Sequence, residues 1–260
     1  MRHSDGIRLS IEGPIARIRI DRQRRRNALG LQDWQDLAQN LREADSFPDV
    51  RAIVLSGAGS HFGAGNDIAE LAGLRGRPSV ARAFGTAMSE GIAAIAAARV
   101  PVIAAIEGQC YGASVALALA ADIRVASASA SFAITPARLG ALYLQSDLHR
   151  LVAAVGQGQA RRLIYSAEPI DAGQALKIGL VDELAAPDQF EAGVERLASA
   201  IARGSPFTLG ETKAMLARAG FGRPSPETPA TLEIFVTATQ GCDFAEGVEA
   251  FLERRPPRFA

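Results

Sequence analysis

Five short stretches carry the apolar pattern of β-strands: IRLSI (7–11), IARIRI (15–20), AIVLSG (52–57), VPVIAAIEG (100–108) and DIRVAS (122–127). Each is rich in β-branched residues and bounded by turn residues. Between them the spacing of apolar positions predicts helices over 31–44 (LQDWQDLAQNLREA), roughly 80–98, and 112–121. Strands alternating with helices give an α/β fold with crossover connections. Beyond residue 140 the strand pattern nearly vanishes, and helices are expected at 146–155, 157–165, 171–178, 188–203, 205–219, 228–239 and 243–254. The chain therefore reads as an α/β core, 1–195, followed by a helical C-terminal region, 196–260. Apolar helix faces that a lone domain would leave uncovered predict oligomerisation.

Composition narrows the choices. At 260 residues the chain fits one large domain, or a domain with an appendage. Hydrophobic residues make up 48% and aromatics only 6%, so the core must be mostly Ala, Leu, Ile and Val. Lys plus Arg and Asp plus Glu balance at 28 each, which argues against nucleic acid or a membrane surface as partner. No apolar run approaches the ~20 residues of a membrane helix. The opening residues read straight into strand alternation rather than as a signal peptide, so a cytoplasmic protein with reduced cysteines is expected. Cys110 and Cys242 lie far apart, and His3, His61 and His149 show no ligand spacing, so no metal site is expected.

Two glycine-containing segments carry candidate chemistry. In HFGAGNDIAEL (61–71), Gly63 and Gly65 permit a tight turn, and Asp67 suits the start of a helix. Such a turn leaves the N–H of Asn66 free to face a ligand. In EGQCYGAS (107–114), Gly112-Ala113-Ser114 opens an apolar helix whose first N–H groups have no internal acceptor and lie at the positive end of the dipole. There the N–H of Ala113 is the natural donor. Two amides from separate strand-to-helix turns can converge on one developing oxyanion without any titratable residue. On pattern alone, two ordinary glycine-containing connections account for the same residues.

Four elements in order add a resemblance: NAL (27–29), FGAGNDI (62–68), EGQCYGAS…ALAADIRVAS (107–127) and GVEAFLERRPPRF (247–259). Together they resemble the crotonase, or enoyl-CoA hydratase/isomerase, superfamily over nearly the whole chain. The resemblance implies a spiral of ββα units, a helical trimerisation region forming a homotrimer or dimer of trimers, and acyl-CoA substrates. Coenzyme A would enter as part of the substrate thioester, with no separate cofactor. It also implies an oxyanion hole for the thioester carbonyl, made by the N–H groups of Asn66 and Ala113. The usual second donor is a glycine, and alanine keeps the N–H.

Departures from the family pattern bear on the reaction. Hydratases of the family carry one glutamate three residues past the second donor and another in the next loop. The corresponding residues are Ala116 and Pro136. Hydration needs a base to activate water and an acid to protonate the α-carbon, and neither residue can serve. The loop FAITPARLGALYLQSDLHRL (132–151) is similar instead to the methylmalonyl-CoA decarboxylases of the superfamily, with Thr135, Pro136 and Tyr143 in matching places. Their first oxyanion position is a histidine, and here it is Asn66. Decarboxylation of a malonyl-type thioester needs no base. Tyr143 would orient the carboxylate or reprotonate the carbon, with Thr135 as its hydrogen-bond partner. Tyr143 reads equally as a half-buried tyrosine with its hydroxyl at the surface.

Asp147 and His149, two apart, point in different directions on a helix, and Asp147 is the best carboxylate for a proton-shuttling isomerase or a non-standard hydratase. The run DRQRRRNAL (21–29) could clamp the phosphates of coenzyme A or form a solvated loop. The resemblance favours the clamp, with Arg24, Ala28, Ala64 and Asn66 contributing, and Arg254 arriving from a neighbouring subunit. A non-catalytic relative that binds CoA or RNA is the alternative of another class.

Overall fold

The apolar stretches assemble into two sheets, seen in a computed structural model that describes residues 6–218, 237 and 241–259. Six strands form the larger: β1 (Ile7–Glu12), β2 (Ile15–Ile20), β3 (Ala52–Gly57), β5 (Val102–Ile106), β7 (Ile123–Ser127) and β10 (Glu183–Ala185), adjacent in that order. β1 pairs antiparallel with β2, and all later neighbours run parallel. β3 begins with four buried residues and β5 is buried throughout. Continuous apolar strands belong to a parallel sheet covered on both faces. One cover is α1 (Leu31–Ser46) with α3 (Pro78–Ala97). The other is α8 (Phe190–Ala202), whose Phe190, Val194 and Ala198 pack on Val54, Ile103 and Val125.

The smaller sheet contains β4 (His61–Gly63), β6 (Gln109–Tyr111), β8 (Ser131–Ala133) and β9 (Ile170–Asp171). Its first three strands are parallel neighbours of three residues each. Each follows a strand of the larger sheet within a few residues and leads into a helix. β3, β4 and α2 (Ile68–Ala72) form one ββα unit, and β5, β6 and α4 (Ala113–Ala120) another. β7 and β8 lead into α5 (Pro136–Leu139). The expected spiral of ββα units is present, with helices dominating the chain after residue 140.

β4, β6, β8, β9 and β10 carry no strand pattern of their own in the sequence. Two or three residues are too few to display a period of two. The two helices expected at 146–155 and 157–165 form α6 (Gln145–Ser166), interrupted at Gly156, whose φ of 73° and ψ of 163° are not helical. α7 (Ala172–Lys177), α9 (Pro206–Arg218) and a last helix, Cys242–Glu253, lie near their expected places. The helix expected at 228–239 falls, apart from residue 237, outside the described residues. No helix among the described residues is long and apolar enough to cross a membrane.

The amphipathic stripe of α1 buries Trp34, Leu37, Ala38, Leu41 and Ala44. Trp34 is fully buried, stands against Gly91 of α3, and donates its indole N–H to the Asn66 side-chain oxygen at 3.0 Å. Trp34→Phe should lower the unfolding free energy by about 1–3 kcal/mol, because that oxygen loses its partner. Urea unfolding measures the change, and an unchanged midpoint would show the bond to be idle.

Candidate active site

β4, β6 and β8 run parallel and adjacent, so their carboxyl ends open on the same side, where ligands of open α/β sheets bind. The chain leaving them supplies Ala64 and Asn66, then Gly112 and Ala113, then Thr135 and Pro136. These six share a small pocket with Ile68, Leu71, Met88, Leu139, Ala141, Leu142, Tyr143 and Asp147. Its lining is mostly apolar with a few polar groups, the composition of a ligand site. Arg24, Ala28 and Arg254 are not part of that lining.

Two backbone amides are aimed by the bonds of their own peptide groups. The Gly65 carbonyl accepts the Leu29 N–H at 2.8 Å. In a planar trans peptide the N–H leaves the opposite edge, so the Asn66 N–H points away from Leu29. The Gly112 carbonyl likewise accepts the Val115 N–H at 3.1 Å and the Tyr143 hydroxyl, which orients the Ala113 N–H. Among the described residues no backbone carbonyl accepts either amide. Ala113 is the first residue of α4, where the helix supplies no acceptor. The side chain of Asn66 is held by the Trp34 indole and by the Met88 sulfur, the latter at 3.4 Å.

The turns carrying these amides lie against each other. Gly65 has φ of +92°, and a Cβ built on it would stand 2.8 Å from the Ala113 nitrogen and 2.9 Å from the Tyr111 carbonyl oxygen. Gly112 has φ of 55° and ψ of −126°, a conformation suited to glycine. Asp67 caps α2 as expected, its carboxylate accepting the Ala69 N–H at 3.0 Å.

Tyr143 donates to the Gly112 carbonyl, which corrects the expectation of a hydrogen bond with Thr135. Its hydroxyl is turned inward, not to the surface. Burial, then the neighbouring Cys110 and Asp147, hold its proton well above the ordinary tyrosine range. It remains a neutral donor. The Thr135 hydroxyl caps no amide of α5 and lies beside Gly112.

Asp147 is only 2% exposed and pairs with Arg150 at 3.1 Å. Burial raises its carboxyl above the usual 3.8, against the opposing pull of Arg150. His149 faces outward and bonds the Gln145 side chain at 2.9 Å. The two residues thus point apart, as their spacing predicts.

The arginine run divides. Arg22 is engaged by the fold: it bonds the Ala28 carbonyl at 2.6 Å and Asp33 at 2.8 Å, and reaches Asp67 at 3.5 Å. It is therefore not a free member of a phosphate clamp. Arg24 and Arg26 are exposed, and Arg25 lies 3.9 Å from Asp67. Arg254 is exposed beyond the last helix.

Two residues escaped sequence reasoning. Asn27 is fully buried with φ of +58°, and its side chain donates to the Ala58 and His61 carbonyls at 2.9 and 2.6 Å. Ser114, also fully buried, accepts the Gly65 N–H at 3.0 Å. A polar residue at a helix start is ambiguous in sequence, since its partner lies 49 positions away. Among the described residues no group of three or more His, Cys, Asp or Glu could hold a metal ion.

A two-sheet spiral of ββα units, with a pocket at the ends of the short strands, defines a crotonase-like α/β protein. The sequence model of the enoyl-CoA hydratase/isomerase family matches residues 10–260, and the chain belongs to that family. It is 33% identical to the peroxisomal Delta(3,5)-Delta(2,4)-dienoyl-CoA isomerase of Arabidopsis thaliana, over 98% of this chain and 95% of that one. It is 32% identical to the mitochondrial enoyl-CoA hydratase domain-containing protein 3 of Rattus norvegicus, over 98% of this chain and 82% of the other. A solved enoyl-CoA hydratase/isomerase family protein from Hyphomonas neptunium superposes with a TM-score of 0.93 at 37% identity, covering 98% and 97% of the two chains.

Proposed function

We propose that the chain processes an acyl-CoA thioester by holding its enolate oxygen on the Asn66 and Ala113 amides, and that the reaction is decarboxylation of a malonyl-type CoA ester. The observation that carries this reading is a pocket with two unengaged amides but no glutamate at either position matched to the hydratase pair. Ala116 is buried within α4, and Pro136 lines the wall. In the proposed step the bond between the α-carbon and its carboxylate breaks. The electron pair moves toward the thioester carbonyl, CO2 leaves, and the amides take the charge on oxygen. The α-carbon then receives a proton. Thr135 offers a neutral hydroxyl beside Gly112 to orient the carboxylate, and Tyr143 is the proton donor we assign: its hydroxyl leaves the Gly112 carbonyl, hands its proton to the α-carbon and recovers one from water. Coenzyme A enters with the substrate, and Arg24 and Ala28 are assigned to its nucleotide end, with Arg254 joining from a neighbouring subunit. Exposed apolar side chains on the helices, Tyr165, Leu216, Phe244 and Val248, support association into a trimer or a dimer of trimers. Sedimentation tests it. Purified protein given malonyl-CoA and methylmalonyl-CoA should release CO2, and no turnover with either overturns the decarboxylase assignment.

A second reading has its own observation, the buried Asp147 carboxyl in the same wall. A carboxyl with a raised pKa suits proton shuttling between carbons, the work of an isomerase such as the Arabidopsis relative is named for. The two readings separate on Asp147→Asn. Under the decarboxylase reading CO2 release survives. Under the isomerase reading, turnover of an enoyl-CoA panel is lost. The native state holds the Asp147 proton more tightly than the unfolded chain, so ionising this group costs stability as pH rises from the unfolded value through the raised native one. Asp147→Asn should flatten that part of the pH–stability curve, measured by urea unfolding from acidic to neutral pH. A curve parallel to that of the unsubstituted protein would show no raised carboxyl there.

A further inference from the structure

Ser114 lies between the two amide-bearing turns and belongs to only one of them. It is the second residue of α4, one position after Ala113, and is fully buried. Its hydroxyl oxygen crosses to the other turn and accepts the Gly65 N–H at 3.0 Å. The Gly65 carbonyl is already fixed by Leu29 at 2.8 Å. Both polar atoms of the residue that precedes Asn66 are therefore anchored, one of them to α4. Space for the hydroxyl comes from Gly63: a Cβ there would fall 2.3 Å from the Ser114 oxygen. No side-chain hydrogen bond from Ser114 caps its own helix; its bond is to the opposite turn.

We propose that Ser114 is a positioning residue, whose hydroxyl ties the β4 turn to the start of α4 and sets the separation of the Asn66 and Ala113 amides. This rests on the reading of those amides as one oxyanion-binding pair. Ser114 never touches substrate and acts through Gly65. Without the hydroxyl, the Gly65 N–H has no acceptor in a closed interior, and the turn is free to drift relative to Ala113. An offset of about 1 Å spoils donors that must both reach one oxygen.

The test is Ser114→Ala, compared with Val125→Ala, an equally buried side chain of β7 that packs toward α8 and away from the pocket. The first readout is the absorption maximum of a conjugated, chromophoric enoyl-CoA bound to the protein, which moves to longer wavelength when its thioester carbonyl is polarised. It requires no turnover. The protein should shift the band, Ser114→Ala should lose most of the shift while still binding the ester, and Val125→Ala should keep it. Turnover by Ser114→Ala should fall about 10–100-fold with KM nearly unchanged. Absence of any shift with the unsubstituted protein overturns the paired-amide reading itself. A normal shift in Ser114→Ala overturns only the role of Ser114. Should Ser114→Ala not fold, Ser114→Cys keeps the side-chain volume but offers only a weak sulfur acceptor, and its band shift distinguishes the same two outcomes.

Discussion

Replacing Ala113 by proline is expected to lower turnover by about 10²–10³-fold, the cost of deleting one donor to a developing oxyanion. The proline ring carbon takes the place of the amide hydrogen, so the substitution removes the donor and also crowds the oxygen it served, and that cost is a lower bound. Ala113 is the first residue of α4, where proline is tolerated because its fixed φ suits the helix and the missing N–H has no internal acceptor. The restriction that proline places on the preceding residue falls on Gly112, which has no Cβ. Thermal stability should therefore hold while kcat falls. Ala113→Gly keeps the N–H and should stay near normal turnover. Steady-state kinetics with whichever CoA ester is turned over decides the matter. Full activity in Ala113→Pro would remove this amide from the mechanism and leave Asn66 without a partner.

Gly65→Ala should damage both the fold and the reaction. The new methyl would stand 2.8 Å from one backbone atom and 2.9 Å from another, at a φ of +92°. Backbone cannot swing aside as the end of a long side chain can. The turn and the start of α4 must separate, and that separation is the distance the two amides need. Turnover is expected to fall about 100-fold or more, with a loss of about 1–3 kcal/mol in unfolding free energy from backbone strain. Kinetics and urea unfolding on the same preparation measure both. A stable, active Gly65→Ala would mean the two turns are not in close contact.

Much of the architecture was legible because burial writes a period into the chain. The strand at 15–20 and the helix at 31–46 show their apolar faces at spacings of two and of three to four, and the strand at 52–57 shows the continuous apolar run of a strand covered on both faces. The family was legible through ordered motifs, and the position of the Asn66 and Ala113 amides through the glycines beside them. The short strands were not, since HFG, QCY and SFA are held by neighbours in space rather than by a pattern of their own. The partner of Tyr143 was hidden for a related reason. Thr135 is closer in sequence, yet the hydroxyl reaches a carbonyl 31 residues away. Arg22 looked like part of a solvent-facing run and proved to be held by Asp33 and by a carbonyl of its own loop.

The sequence alone determined that two main-chain donors would leave two strand-to-helix turns, because glycine placement and the unpaired start of a helix are local properties. It also determined that the paired glutamates of hydration are missing. Only the tertiary structure decided that both turns meet at one pocket, that Asp147 faces into it while His149 faces out, and that Ser114 spans the gap. Those facts depend on three parallel strands bringing distant segments side by side, and no local pattern encodes the distance between them.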